Sequence, residues 1–239
     1  MELDVLAIGA HPDDIELTCA GTLAKCVKLG HKVGIVDLTE GELGTRGSRS
    51  VRVKEADEAA KILGVHTREN LQIPDGDIEV GQKNISKVVQ VYRKYRPKII
   101  LIPHWYERHP DHIHAHYLCR EAWFYSGLTK VETKLDGKKQ PPWRPHNYFH
   151  FMQKYVFTPS FIVDISDVYE LRLEAIKAHK SQFYNPASND PETLLSQKSF
   201  LELVETRAKY YGQQIGAKYG EPFYSETPLN ISMQNLMSI

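Results

Sequence analysis

Two short groups of histidine and aspartate residues in this chain have the composition of a metal-dependent hydrolytic site. The first group is His11-Pro12-Asp13-Asp14, and the second is His109-Pro110-Asp111-His112. Imidazole and carboxylate groups are good ligands for zinc, and a site with three protein ligands leaves a coordination position for water. A hydrolytic metal site is therefore the first hypothesis that the residues support.

Each group lies shortly after a short apolar run that is typical of a buried parallel strand. Residues 5–9 precede the first group, and residues 99–103 precede the second. In open α/β sheets, ligands bind at the carboxyl ends of the strands. We therefore expect the two groups to meet at one edge of a sheet.

The spacing assigns a role to each member of the two groups. The expected metal ligands are His11 and Asp14, three residues apart across one turn, and His112 from the second group. Asp13 lies between two ligands and beside the water position, so it is the expected general base. His109 is expected to stabilise an oxyanion or protonate a leaving amine. Asp111 is expected to orient and charge His109.

Simpler interpretations of the same residues stay open. An aspartate behind a strand is often only a helix N-cap, and either Asp13 or Asp14 fits that role. The metal is also open, because two histidines and one aspartate suit zinc, iron(II) or another divalent ion.

The remaining histidines of the second region do not extend the site. His112 and His116 are four residues apart, as in the zinc-protease helix motif, but Ile113 stands where that motif needs glutamate. His104, His114 and His116 are therefore interpreted as packing or surface residues.

The composition limits the class of protein. The chain has 239 residues, with 30 basic and 30 acidic side chains, so no overall charge favours nucleic acid or a membrane surface. No segment approaches the roughly 18 apolar residues of a membrane span, and we see no basic and apolar targeting segment. Three cysteines without CxxC spacing favour reduced thiols. We therefore expect a cytoplasmic protein.

The order of predicted elements indicates an α/β fold. Strands are predicted at residues 5–9, 32–38, 71–74, 98–103, 147–156 and 160–165, and helices at 15–29, 54–63, 85–95, 112–124, 168–180 and 194–211. This alternation predicts a doubly wound, mostly parallel, Rossmann-like sheet with helices on both faces. Residues 129–145, rich in lysine and proline, are expected to form a loop of unknown role. We expect residues 1–239 to form a single domain.

The two motifs carry a resemblance to a known family. Ala10 to Asp14, Gly21-Thr22 and Arg108 to His112 closely resemble the PIG-L/LmbE-like family of zinc-dependent N-deacetylases. Those enzymes act on N-acetylglucosamine joined to another group. The resemblance covers nearly the whole chain. It implies that His11, Asp14 and His112 bind zinc, that Asp13 is the base, and that His109 stabilises the tetrahedral intermediate and helps the amine leave. It also favours a homo-oligomer.

Four further segments resemble the bacillithiol-biosynthesis branch of that family. They are residues 38–47, Arg52 with Glu55-Ala56, residues 70–76 and residues 178–183. The resemblance implies removal of acetate from N-acetyl-α-D-glucosaminyl L-malate. Arginine binds carboxylates in bidentate fashion, so Arg52 and Arg108, with Arg46 and Arg49 as weaker candidates, are expected to contact the malate. Glu42 is expected to frame the sugar.

Alternatives to this substrate remain. His179, Gln182, Tyr184 and Tyr219 are candidate pocket residues, although packing explains His179 and Gln182 equally well. The chain is also compatible with a deacetylase or amidase for another N-acetylglucosamine or bacillithiol conjugate, or with a non-catalytic protein that binds a metal or a sugar. A nucleotide-binding domain is the weakest alternative, because no GxGxxG fingerprint is present.

Overall fold

Nine strands and seven helices make up residues 1–232, the part of the chain that the structure, a computed structural model, describes. The strands are β1 Val5–Gly9, β2 Val33–Asp37, β3 Thr67–Asn70, β4 Ile99–Pro103, β5 Lys134–Leu135, β6 Lys138–Lys139, β7 Asn147–Phe151, β8 Phe161–Asp164 and β9 Gly220–Tyr224. The helices are α1 Asp14–Thr18, α2 Ala20–Lys28, α3 Arg49–Leu63, α4 Gln82–Tyr95, α5 Pro110–Ser126, α6 Tyr169–Ala178 and α7 Phe200–Gln214. None of these helices combines the length and the apolar surface that a bilayer crossing requires.

A seven-stranded sheet in the order β3-β2-β1-β4-β7-β9-β8 forms the centre of the fold. β3, β2, β1, β4 and β7 run parallel, and β9 is antiparallel to both of its neighbours. The predicted fold class, a mostly parallel α/β sheet with helices on both faces, is confirmed.

Alternate residues of the central strands pack into separate cores on the two faces of the sheet. On β1, Val5 and Ala7 belong to one core, and Leu6 and Ile8 belong to the other. Both faces are buried because helices cover them, which explains why the strand reads as a continuous apolar run rather than an alternating one.

The helix predicted at residues 15–29 is interrupted at Cys19, which separates α1 from α2. The carboxylate of Glu221, from β9, accepts hydrogen bonds from the backbone N–H of Gly21 at 2.9 Å and of Thr22 at 2.7 Å. A carboxylate at this position satisfies free N–H groups of the first turn of α2. The partner lies about 200 residues away in sequence, so no local pattern could show it.

Other boundaries also differ from the predictions. The third strand lies at 67–70 instead of 71–74, because the chain turns at Gln72, whose φ is 50°. Strand β9 was not predicted, and the last helix begins at Phe200 rather than at residue 194. The 129–145 segment contains the small β5–β6 hairpin and packs on α4, where Arg93 donates to the Val131 carbonyl at 2.6 Å.

Candidate active site

The two motifs meet because β1 and β4 are adjacent parallel strands. After β1 the chain turns through residues 10–13 into α1, and after β4 it loops through residues 104–109 into α5. Both connections lie at the carboxyl edge of the sheet, as the general rule for such sheets requires. Together they form the floor of a cleft of about 410 Å³.

The turn after β1 distinguishes the two aspartates that follow it. Asp14 accepts a hydrogen bond from the backbone N–H of His11 at 2.9 Å, which closes the turn. Asp13 occupies the N-cap position of α1 with a φ of 119°, yet its side chain makes no capping hydrogen bond. Capping therefore does not explain the Asp13 carboxylate, which lines the cleft instead.

His11, Asp14 and His112 each offer one ligand atom, and these three atoms lie within 4.8 Å of one another. Oδ1 of Asp14 is 3.2 Å from Nε2 of His112, and Oδ2 of Asp14 is 3.6 Å from Nδ1 of His11. Although burial opposes the charged form, the two imidazoles hold the pKa of Asp14 well below its usual range. Two imidazole nitrogens and one ionised carboxylate form a donor set that fits a divalent cation.

The second nitrogen of His11 contacts two carboxylates. Nε2 of His11 lies 3.0 Å from Oδ1 of Asp75 and 3.2 Å from Oδ2 of Asp111. Oδ2 of Asp111 also accepts from the Gly76 backbone N–H at 2.9 Å. Carboxylates placed in this way fix the orientation of a ligand imidazole and raise its basicity. Here they leave Nδ1 of His11 facing Asp14.

Asp111 therefore differs from the expectation that its carboxylate orients His109. The carboxylate contacts His11, and it is the backbone N–H of Asp111 that donates to Nδ1 of His109, at 3.2 Å. His109 is the N-cap of α5, and its ring centroid lies 4.9 Å from that of His11. Since Nδ1 accepts a hydrogen bond, the neutral ring carries its proton on Nε2. Burial lowers the pKa of His109.

Arg52, a predicted substrate contact, lines the cleft, but its guanidinium binds other groups of the protein. The side chain is buried, with Nη1 donating to the Gly41 carbonyl at 2.9 Å and Nη2 to the Pro12 carbonyl at 2.7 Å. Nη2 also lies 3.3 Å from Oδ2 of Asp13. Burial raises the pKa of Asp13, and the charge of Arg52 opposes that rise. Arg52 thus holds the turn that carries Asp13.

Two other predicted substrate contacts also hold loops together. Arg46 is buried, and its Nε donates to the Ser181 carbonyl at 3.0 Å. Glu42 accepts from the backbone N–H of Asp75 at 2.9 Å. Among the residues that the structure describes, neither Arg46 nor Glu42 lines the cleft, whereas Arg108 is exposed and does line it.

Comparison with known proteins agrees with this geometry. The profile of the PIG-L family, described as GlcNAc-PI de-N-acetylase, matches residues 6–123. Diacetylchitobiose deacetylase of Thermococcus kodakarensis is 34% identical over 229 residues, which covers 91% of this chain and 80% of that protein. The chain belongs to the PIG-L family of deacetylases.

Solved structures extend this similarity over nearly the whole chain. The conserved protein TT1542 of Thermus thermophilus superposes with a TM-score of 0.86 at 35% identity, covering 97% of this chain and 98% of that one. N,N'-diacetylchitobiose deacetylase of Pyrococcus horikoshii gives a TM-score of 0.78 at 29% identity, covering 92% and 82%. The family fold therefore continues well beyond the segment that the profile matches.

Gln153 is a site residue of this PIG-L protein that the sequence analysis missed. Its Nε2 donates to Oδ1 of Asp14 at 3.0 Å and lies 3.3 Å from Nε2 of His112. Arg207 donates to the Gln153 carbonyl. Gln153 follows β7, the strand beside β4, so the rule that located the two motifs also applies to the carboxyl end of this third strand.

The four candidate pocket residues left open from the sequence lie in different environments. Gln182 lines the cleft. His179 is fully buried, with Nε2 3.4 Å from Oε2 of Glu16. Tyr219 is buried in the core, and Tyr184 is exposed. Within residues 1–232, the cleft lining includes none of these three.

Proposed function

We propose that this PIG-L family member is a divalent-metal-dependent N-deacetylase that removes the acetyl group from an N-acetylglucosamine conjugate. The observation that carries the proposal is the meeting of His11, Asp14 and His112 on the floor of the cleft, with the carboxylate of Asp13 in the same lining. Zinc is the proposed cation, and iron(II) or another divalent ion suits the same donors.

The proposed reaction uses one side chain for proton transfer and another to stabilise the oxyanion. A cation held by the three ligands supplies polarisation of the acetyl carbonyl and a more acidic water. Asp13 accepts the proton of the attacking water, and Arg52 keeps its carboxylate in place. His109 donates a hydrogen bond from its Nε2–H to the developing oxyanion, and the protonated Asp13 then passes the water proton to the departing amine. Asp111 supports His109 through its backbone N–H.

As the substrate we propose N-acetyl-α-D-glucosaminyl L-malate. The motifs shared with the bacillithiol-biosynthesis branch support this choice, and four cationic side chains line the cleft, namely Arg52, Arg108, Lys154 and Arg207. Because Arg46 and Arg52 bind other parts of the protein, we assign the malate carboxylates to Arg108 first. Guanidinium and ammonium groups at the mouth of a cleft are suited to binding carboxylates.

Diacetylchitobiose is the second candidate substrate. It is supported by the 34% identity to an enzyme named for that substrate over 91% of this chain. Both candidates present the same N-acetylglucosamine group to the site and differ only in the group attached to it.

The decisive experiment measures amine release by the purified zinc-loaded protein. N-acetylglucosaminyl malate and diacetylchitobiose are compared, each with and without a chelator. We expect turnover of the malate conjugate that the chelator abolishes and added zinc restores. If the protein turns over diacetylchitobiose but not the malate conjugate, diacetylchitobiose becomes the proposed substrate. Binding of either sugar without amine release under any divalent metal contradicts the enzymatic proposal and favours a binding protein.

Two broader expectations belong to the same proposal. We propose that residues 1–239 act as a single catalytic domain and that the reaction takes place in the cytoplasm. The three cysteines are unpaired, and Cys19 and Cys119 are buried, which suits a reducing compartment.

A further inference from the structure

The cleft has two chemically different walls. The floor carries the histidines and aspartates described above, whereas five apolar side chains line another part of the same cleft. They are Leu194, Leu195, Phe200, Leu203 and Val204. The hydroxyl-rich face of a sugar offers little apolar surface to such a wall, so deacetylation of a small polar conjugate does not explain it.

Helix α7 shows that this apolar surface is not simply part of the core. In its C-terminal half, Ala208 and Tyr211 are buried. In its N-terminal half, Phe200, Leu203 and Val204 have the spacing of one helix face, and all three line the cleft. Leu203 is 43% exposed. The first half of the helix therefore presents an apolar stripe to the same cleft that contains the reacting centre.

We propose that this stripe binds an apolar alkyl or aryl substituent of further N-acylglucosamine substrates, beyond the two polar candidates named above. The substituent is carried either on the acyl group or on the anomeric oxygen of the glucosamine unit. For turnover, the proposal rests on the deacetylase function proposed above. Because the stripe and the metal ligands line one continuous cleft, a single molecule can contact both. Ligand pockets commonly combine apolar walls with a few placed polar groups.

The test uses two substrate series with the zinc-loaded protein. In one series the N-acyl group of glucosamine lengthens from acetyl to butyryl to hexanoyl. In the other, N-acetylglucosamine carries a methyl, butyl or hexyl aglycone. Each methylene that the stripe covers is expected to raise kcat/KM about fourfold, the equivalent of about 0.8 kcal/mol. The series that rises identifies which end of the substrate the stripe binds.

Leu203→Gln and Ile215→Gln form a matched pair of variants. Leu203 lies in α7 and Ile215 is its C-cap, and both are 43% exposed. Of the two, only Leu203 lines the cleft. Leu203→Gln is expected to reduce the ratio of kcat/KM between the longest and the shortest member of the rising series about fivefold or more. Ile215→Gln is expected to leave the series unchanged.

Binding of the products separates this proposal from the proposed function. Hexyl is compared with methyl glucosaminide, and hexanoate with acetate, by calorimetry on the same protein. A preference for one longer product that Leu203→Gln removes supports the stripe even when no substrate turns over. Two flat series and equal product affinities overturn it, and deacetylation of the shortest substrate then still stands. An oligomer that Leu203→Gln dissociates, with both series flat, also overturns it and assigns the stripe to a second copy of the chain.

Discussion

Two clusters of histidines lie near the carboxyl end of β4, and they differ in almost every physical respect. The cleft cluster comprises His11, His109 and His112, and the core cluster comprises His104, His116 and His150. In the cleft cluster, His11 alone contacts three carboxylates. In the core cluster, His116 and His150 both place Nδ1 near the Pro103 carbonyl, at 3.2 and 3.0 Å.

Burial sets the charge state of two rings in the core cluster. Burial lowers the pKa of His116 and of His150 to about 4, so both rings are neutral at physiological pH. Glu226, at 3.3 Å from Nε2 of His150, is the one carboxylate in an ion-pair contact with these rings among residues 1–232. Imidazole density alone therefore does not make a metal site; carboxylates that balance the cation and an opening to solvent are also needed.

The largest expected effect is a loss of turnover in a variant that keeps all three proposed metal ligands of the cleft. Asp13→Asn removes the proposed base, and asparagine tolerates the positive φ of this position better than alanine does. We expect kcat to fall by about 10²–10⁴-fold while zinc stoichiometry, measured by elemental analysis, stays at the wild-type value. Turnover at the wild-type rate contradicts the assignment of the base.

A pair of substitutions one helical turn apart tests the contrast between the clusters directly. His112→Leu removes a proposed ligand, whereas His116→Leu removes a core imidazole from the same helix. We expect His112→Leu to weaken zinc affinity by more than about 100-fold, because loss of outer-shell partners alone costs about 10–100-fold. His116→Leu is expected to keep wild-type affinity in the same titration. If His112→Leu and His116→Leu both keep the wild-type zinc affinity, His112 is not a ligand.

The comparison also shows which parts of the molecule the sequence could predict. The meeting of His11, Asp14 and His112 follows from local rules, since each motif lies shortly after an apolar run and adjacent parallel strands end at one edge. His104 and His116 were interpreted as packing or surface residues, because no partner could be assigned to His104 and because Ile113 stands where the zinc-protease motif needs glutamate. Both are buried, as that interpretation allows.

What the sequence could not predict depends on contacts between distant residues. Arg52 was assigned to the substrate because an arginine near the site is suited to an anion, but carbonyls of two loops and Asp13 occupy its Nη atoms. The break in the first helix is formed with Glu221 from the last strand. In both cases the residue is visible in the sequence, but its partner is set by how distant segments come together in the fold.

The dependence of folding stability on pH is expected to test whether the core histidines are neutral. A histidine whose folded pKa is about 4 and whose unfolded pKa is about 6.5 contributes stability that is present above pH 6.5 and is lost as the pH falls toward 4. The shift corresponds to roughly 3 kcal/mol per group. Between pH 6.5 and pH 4, the free energy of unfolding of His116→Leu should therefore fall by up to about 3 kcal/mol less than that of the wild type. The Pro103 carbonyl keeps its contact with His150 in that variant.

The measurement is urea unfolding of metal-free protein at steps between pH 7 and pH 4, so that loss of zinc does not contribute. Glu16 provides an internal check, because its pKa of about 2, which Arg68 and His179 lower against the effect of burial, makes its contribution fall only below about pH 4.5. Parallel stability curves for the variant and the wild type from pH 6.5 to 4 contradict the neutral state assigned to the core cluster.

The smallest expected effect concerns the mouth of the cleft, where specificity rather than catalysis is at issue. Arg108→Gln removes an exposed cation from the lining, and Arg49→Gln removes an exposed cation that pairs with Glu40 outside it. We expect Arg108→Gln to lower kcat/KM for the malate conjugate about tenfold, as loss of one charged hydrogen bond implies, while diacetylchitobiose turnover changes little. Arg49→Gln is expected to affect neither substrate. An equal loss for both substrates in Arg108→Gln instead assigns this arginine to the shared N-acetylglucosamine group, because the two substrates differ only beyond the sugar.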